Sequence, residues 1–169
     1  MSHRKGVADL FEAMKLLKNE PVSLSLLGQP SMPMEFYRKQ LAEFAYFPPC
    51  PNLKVRDMMK THDALVLPSI VEGRALVQQE ALSCGLPIIV TPNAGGEDLV
   101  VEGTTGHLVP IRSPEKIAEA IRAMIGNRNQ KEEIRKLCQK KAKQYSWVNY
   151  AQNIIDFNLS NHAQRLEIA

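Results

Sequence analysis

The chain has 169 residues, 44% of them hydrophobic and 23% charged, the size and composition of one soluble globular domain with a substantial core. With 21 basic against 18 acidic residues the net charge is only +3, too small to point to nucleic acid or an anionic membrane surface as partner. Cys50, Cys84 and Cys138 are far apart and odd in number, which excludes a disulfide framework or a paired-cysteine metal site and fits reduced thiols in a cytosolic compartment.

Taken in chain order, apolar residues at Val7, Leu10, Phe11, Met14 and Leu17 predict a helix over Gly6–Lys18. Val22–Leu27 reads as a strand that ends at Gly28. Met34–Phe44 reads as a second helix. Ala45–Phe47 is a short strand broken by Pro48 and Pro49. Val55–Lys60 is helical, Ala64–Leu67 a strand, and Arg74–Ser83 a helix stopped by Gly85. Pro87–Thr91 is another apolar strand, Glu97–Val101 a short helix and Gly106–Val109 a short strand. Ser113-Pro114 is a helix opening, Ser as N-cap and Pro in the first turn, with Ile117, Ile121, Met124 and Ile125 on one face. Two further helices follow over Lys131–Tyr145 and Trp147–Leu159, the first with its basic cluster on a solvated face, the second with Trp147 and Tyr150 as packing anchors. Asn161–Ala169 carries little pattern and is expected to fray.

Strands alternate with helices, and the strands are nearly all apolar, as buried parallel strands are. The expected fold is α/β: a Rossmann-like doubly wound parallel sheet with helices on both faces, one domain over residues 1–169. The chain opens almost directly into a helix where such a domain begins with a strand, as though cut from a longer protein. No apolar run nears the ~20 residues of a membrane helix, and the N-terminus has no signal-peptide pattern. The reading is a cytoplasmic protein, soluble or held peripherally at a membrane by parts outside this sequence.

Ligands of open α/β sheets bind at the carboxyl ends of strands. Three loops qualify: Gly28, Phe47–Cys50 and Ser69–Ala75. In the third, Gly73 allows close approach of a ligand, and the amides of Arg74, Ala75 and Leu76 are expected to be free donors at a helix N-terminus, suited to a diphosphate. Glu80 lies one turn beyond Leu76, where its carboxylate can accept two hydrogen bonds from a ribose diol. Glu72 sits just before the helix, near the sugar joined to the phosphate. Read singly, Glu80 equally suits a solvated helix face and Glu72 a capping carboxylate; together with Gly73, Gly85 and the strand context they point to a sugar nucleotide. Lys5, before Gly6, can reach a phosphate as a point charge or stand on the surface. Gly95-Gly96-Glu97 is a further turn at a helix start. The four histidines are scattered, no Asp-x-Asp pair exists, and neither a Walker loop nor a nucleophile elbow is present, so no metal or other cofactor is expected.

Lys5-Gly6-Val7, Leu27-Gly28, Asp63–Ser69, Glu72-Gly73, Glu80–Ile89, Gly95-Gly96 and Gly103–Val109, in that order, resemble the C-terminal, donor-binding domain of the retaining glycosyltransferases of family 4, which have the GT-B fold. The resemblance runs from Lys5 to Tyr150. It implies one half of a two-domain enzyme, with a nucleotide sugar, UDP- or GDP-linked, held here. The acceptor (a glycan, lipid or small molecule) would be held by an N-terminal domain absent from this sequence. It implies Glu72 beside the donor sugar, Glu80 on the ribose, and Lys5 neutralising the diphosphate without a metal, Glu72 and Lys5 being the catalytic pair. Gly28, Phe47, Gly73, Arg74, Ala75 and Leu76 complete the expected donor site. The final helix, from Ser146-Trp147 onward, would cross to the other domain, and an exposed apolar face would mark where that domain docks. The chain departs from the family at Arg74-Ala75, where Phe-Gly is usual, and at Pro48, where Gly is usual. The family's second basic residue belongs to a first strand not found here, so the fragment alone is expected to be inactive. The alternatives are a GT-B sugar-nucleotide epimerase and a non-catalytic module binding a nucleotide or a partner.

Overall fold

The computed structural model describes residues 3–166. A 3-10 turn at His3–Lys5 leads into α1 (Val7–Leu16). β1 (Ser25–Leu27), α2 (Met34–Gln40), β2 (Ala45–Phe47), α3 (Asn52–Thr61), β3 (Leu65–Leu67), α4 (Val77–Ser83) and β4 (Ile88–Val90) then alternate. After 3-10 turns at Pro92–Ala94 and Glu97–Leu99 come β5 (Gly106–Leu108), α5 (Pro114–Gly126), α6 (Lys131–Lys143) and α7 (Trp147–Leu166). Every strand pairing is parallel: β1 with β2, Ser25 opposite Ala45, and β3 with β4 with β5, Leu65 opposite Ile88 opposite Gly106.

Helices cover both faces, and β4 shows why. Its three residues are all fully buried. Ile89 points into one apolar cluster with Leu10 and Phe11 of α1, Tyr37 of α2 and Ile117 and Ile121 of α5. Ile88 and Val90 point the other way, onto Met59 of α3, Ala81 and Leu82 of α4 and Cys138 of α6. Strand side chains alternate between faces, so a strand apolar at every position glues two helical layers to one sheet. Each such fully buried Leu or Ile contributes about 1.5–3 kcal/mol over exposure. The fold is the α/β, Rossmann-like arrangement expected, with one difference. The strands form two half-sheets, β1-β2 and β3-β4-β5, and β1 does not pair with β3.

Several boundaries moved for local reasons. Residues 22–24 are outside β1, although Leu24 still offers its carbonyl to Ala45. α2 ends at Gln40 because Leu41 turns extended, which carries Phe44 into a stack on Phe11 at 5.5 Å. α4 begins at Val77, not Arg74. It ends as expected, with Gly85 N–H donating to Leu82 and Leu86 N–H to Ala81, a Schellman closure that feeds β4. Ser113 opens α5, but its hydroxyl donates back to the Ile111 carbonyl at 3.1 Å and caps nothing. α7 continues as helix to Leu166 where fraying was expected from Asn161; residues 167–169 lie outside the described part. Trp147 and Tyr150 do not anchor this helix in the core. They are 76% and 59% exposed and pack edge-to-face on each other. Val148, Ile154, Ile155, Phe157 and Leu159 of α7 are exposed as well, so the helix presents an apolar surface to solvent.

Candidate functional site

Lys5 and Glu72, 67 residues apart in sequence, form an ion pair at the carboxyl end of β3. Backbone geometry puts them there. Gly6 has φ of 65°, and a Cβ on it would sit 1.9 Å from the Pro68 carbonyl oxygen, so only glycine lets this segment lie against the exit of β3. One hydrogen bond fixes it further, Ile70 N–H to the Arg4 carbonyl at 2.8 Å. Thr91 Oγ1 donates to the Ser69 carbonyl at 2.5 Å and braces the same loop from β4. Both partners of the ion pair are only partly exposed, so each remains open on one side to a ligand arriving at the strand ends.

The loop that follows is clamped to the Gly95-Gly96 turn. Gly95 has φ of 67°, and a Cβ there would meet the Gly73 carbonyl oxygen at 2.3 Å. Ala75 N–H donates to the Ala94 carbonyl at 3.3 Å. Gln78, fully buried, donates from Nε2 to the same carbonyl at 2.7 Å, and its Oε1 faces Gly96 without a hydrogen-bond partner. The expected row of three free amides is therefore corrected. Ala75 is buried and its N–H is used, because the loop must pack before the helix starts. Among the described residues the amides of Arg74, Leu76 and Val77 donate to no backbone carbonyl.

Arg74 turns away from the strand ends. Its guanidinium forks onto the Asp98 carboxylate, with Nη1 and Nη2 at 3.2 and 3.0 Å, and lies 5.3 Å from the centre of the Tyr145 ring. Tyr145 donates its hydroxyl to the Asp98 backbone carbonyl at 2.9 Å. Burial pushes the Asp98 carboxyl up. The Arg74 hydrogen bonds, the Tyr145 hydroxyl and the Arg74 charge outweigh that and hold it below the ordinary carboxylate range. The side chain of Arg74 thus ties the loop to the C-terminal end of α6 and is committed elsewhere than at a phosphate.

Glu80 is exposed on α4 and borders a small groove of about 150 Å³ between α3 and α4, shared with Asn52, Arg56 and Ser83. Among the described residues its carboxylate has no ion-pair partner. Four residues separate it from Leu76, about 6 Å of helix rise. Gly28 and Phe47 close the ends of β1 and β2: Gly28 N–H donates to the Phe47 carbonyl at 3.1 Å, and Tyr46 Oη donates to the Gly28 carbonyl at 3.2 Å. Lys5, Glu72, Gly73, Leu76, Gly28 and Phe47 all lie at carboxyl ends of parallel strands or just beyond them. Glu80 stands one turn further along α4. Residues passed over in the sequence are Gln78 and the Asp98–Tyr145 pair. Gln78 left one trace, a polar side chain on the buried stripe shared with Ala81 and Leu82; the Asp98–Tyr145 contact spans 47 residues and left none.

A model of the family described as Glycosyl transferases group 1 matches residues 1–145. The chain belongs to this family. Among its curated relatives in the group 1 glycosyl transferases is a D-inositol 3-phosphate glycosyltransferase of Jonesia denitrificans. It is 26% identical over 165 residues, which cover 89% of this chain and 39% of that protein. Sucrose-phosphate synthase 4 of Arabidopsis thaliana is 31% identical over 96 residues, 57% of this chain and 9% of that one. Among solved structures, Anabaena Alr3699/HepE in complex with UDP superposes with a TM-score of 0.79 at 22% identity, over 94% of this chain and 46% of that one. The C-terminal domain of a group 1 glycosyl transferase, LpcC, from Francisella tularensis gives 0.73 at 19%, over 86% and 81%. At these identities the structural likeness speaks for the fold alone. The chain spans 26–39% of the length of the first three curated relatives. Among the described residues no helix is long and apolar enough to cross a membrane.

Proposed function

We propose that the chain is the donor-binding, C-terminal half of a retaining glycosyltransferase of the GT-B type. It holds a UDP- or GDP-linked hexose for transfer to an acceptor hydroxyl that another part of the full protein presents. The observation that carries the reading is the Lys5–Glu72 pair at the end of β3, with the Glu80 carboxylate open one helix turn beyond the same loop. The diphosphate would lie against Lys5 and the free amides of Arg74, Leu76 and Val77. As the bond from sugar to phosphate breaks, negative charge grows on the departing oxygen, and a fixed cation beside it lowers the barrier more than it lowers the ground state. Lys5 supplies that charge, and Glu72 holds it in position before the ligand arrives. Glu72 then faces the sugar, and Glu80 takes the ribose diol in the groove beside Asn52, with the base toward Phe47. Positive charge from Lys5 and backbone dipoles stands in this proposal where other transferases place a metal. The superposable Anabaena protein, solved with UDP and with UDP-glucose, supports UDP as the nucleotide to try first. The exposed apolar side of α7 supports a docking role toward the rest of the protein.

The test is calorimetric titration of the chain, and of the longer protein, with UDP, GDP and ADP. Selective binding of one nucleotide, weakened in Glu80→Ala, is the expected result. No binding of any nucleotide to either form would sink the reading.

A further inference from the structure

The loops that leave β3 and β4 are fastened to each other at both ends. At one end Thr91 Oγ1 donates to the Ser69 carbonyl at 2.5 Å and Asn93 Nδ2 to the Ile70 carbonyl at 2.7 Å. At the other, Ala75 N–H and Gln78 Nε2 both donate to the Ala94 carbonyl, at 3.3 and 2.7 Å. Residues 71–74, which carry Glu72, lie between these fastenings. Among the described residues none of their N–H or carbonyl groups pairs with another backbone group. Gly73 rests on Gly95 by contact alone, and the Arg74–Asp98 fork is nearly half-exposed and screened. The backbone around Glu72 is therefore placed from the two ends of the stretch. At the far end the Gln78 bond is the shorter of the two, and Gln78 is fully buried.

Packing does not account for a glutamine at this position. An apolar side chain of equal size would fill the same space at no polar cost. Oε1 is buried without a hydrogen-bond partner, which costs free energy and is rare in folded proteins. It faces Gly96, where a Cβ would lie 1.7 Å from it. The Gly96 φ of −132° is open to L residues, so glycine stands there for space and not for backbone conformation. The Gln78 amide and the bare face of Gly96 are a matched pair.

We propose that Gln78 is a positioning residue. Its amide, lodged between the Ala94 carbonyl and Gly96, fixes residues 71–74 and so places Glu72 opposite Lys5. The consequence for binding rests on the donor-site reading above. Gln78 then governs the hexose end of the donor, which Glu72 faces, and not the nucleotide end, which Glu80 takes from α4. A local packing rule is broken here in favour of placement.

The test uses two variants. Gln78→Met keeps the volume and removes both polar ends; Gly96→Ala adds a methyl that claims the place of Oε1 and drives the amide from Ala94. Backbone order parameters of residues 71–74 are measured by nitrogen-15 relaxation without ligand, so this result is independent of the donor-site reading. In each variant they are expected to fall from about 0.85 to below about 0.6. Tm of Gln78→Met is expected to hold or rise, since the unpaired oxygen leaves with the amide. The double variant is expected to be no looser than either single one, because both act through one bond. UDP and UDP-hexoses are then titrated into the native and Gln78→Met proteins. The gain in affinity from UDP to the tightest UDP-hexose is expected to shrink about tenfold or more in the variant, with Kd for UDP changed less than about twofold. Order parameters that match the native ones in Gln78→Met, a native stretch already mobile, or loosening that adds in the double variant overturns the proposal. So does a UDP affinity that falls as far as the hexose gain, or a fall in Tm with the stretch still rigid, which makes Gln78 a core residue only. A native protein that binds no nucleotide sinks the donor-site reading alone, and the order parameters still decide the placement.

Discussion

Replacing Gly6 by Ala tests how the backbone creates the Lys5–Glu72 pair. The left-handed φ of 65° costs an L residue about 1–2 kcal/mol. The added methyl would also lie 1.9 Å from the Pro68 carbonyl oxygen, a backbone atom that cannot swing aside, and relieving such overpacking costs about 1–3 kcal/mol more. The sum is about 2–5 kcal/mol, or a fall in Tm of about 5–20 °C for a domain of this size. Gly103 is the control. Its φ of 70° is in the same region, but a Cβ there meets nothing within 4 Å, so Gly103→Ala carries only the first cost, about 2–8 °C. Urea melts with matched m values would show that both changes act on stability and not on compactness. Equal shifts for the two variants, or an unaltered Tm for Gly6→Ala, would refute the claim that contact with Pro68 fixes this segment. A Gly6→Ala protein that still folds is expected to bind UDP more weakly, because Lys5 is displaced from the end of β3.

Glu80→Ala is expected to weaken UDP binding about 10–100-fold, the worth of hydrogen bonds to a charged group, with Tm unmoved because the side chain is exposed; calorimetry and a thermal melt decide it. Arg74→Ala and Asp98→Asn should each lose less than about 1 kcal/mol, since that pair is nearly half-exposed and screened. The Asp98 carboxyl is lowered in the fold, so its contribution is full above the unfolded value of about 3.9 and disappears as pH falls through the folded value. Urea midpoints of the native protein and Asp98→Asn should therefore differ by a constant amount from pH 7 to 5 and converge only in acid; convergence already by pH 5 contradicts the shift. Burial pushes the Cys138 thiol up to about 12 against the opposing charge of Arg135, so iodoacetamide at pH 8 should leave Cys138 unmodified in the native protein while half-buried Cys50 reacts. Rapid native labelling of Cys138, seen by mass spectrometry, would show that α6 opens from α4.

The parts of this fold that were legible in the sequence are those set by local chemistry. Gly85 stops α4, Pro48 and Pro49 stop β2, and the apolar stripe of Ile117 and Ile121 marks the buried side of α5. The site was legible to the extent that loops after apolar strands name the strand ends: Glu72, Gly73 and Gly28 fall where expected, and Glu80 on α4 beyond them. Contacts distant in sequence were not legible. Nothing in Arg74 announces Asp98 and Tyr145, and nothing in Ala75 announces that the Ala94 carbonyl takes its N–H. A third class of discrepancy has a different origin. Val22–Leu27, Ala64–Leu67, Pro87–Thr91 and Gly106–Val109 all read as longer strands than the structure pairs. Residue type records the burial a segment is suited to, whereas strand assignment records the partner it has. β2, stopped by Pro48 and Pro49, is the strand whose predicted and observed limits coincide, at Ala45–Phe47. The apolar ends of the other strands, Val22, Leu24 and Val109 among them, pack into the core beyond the last residue that a neighbouring strand pairs.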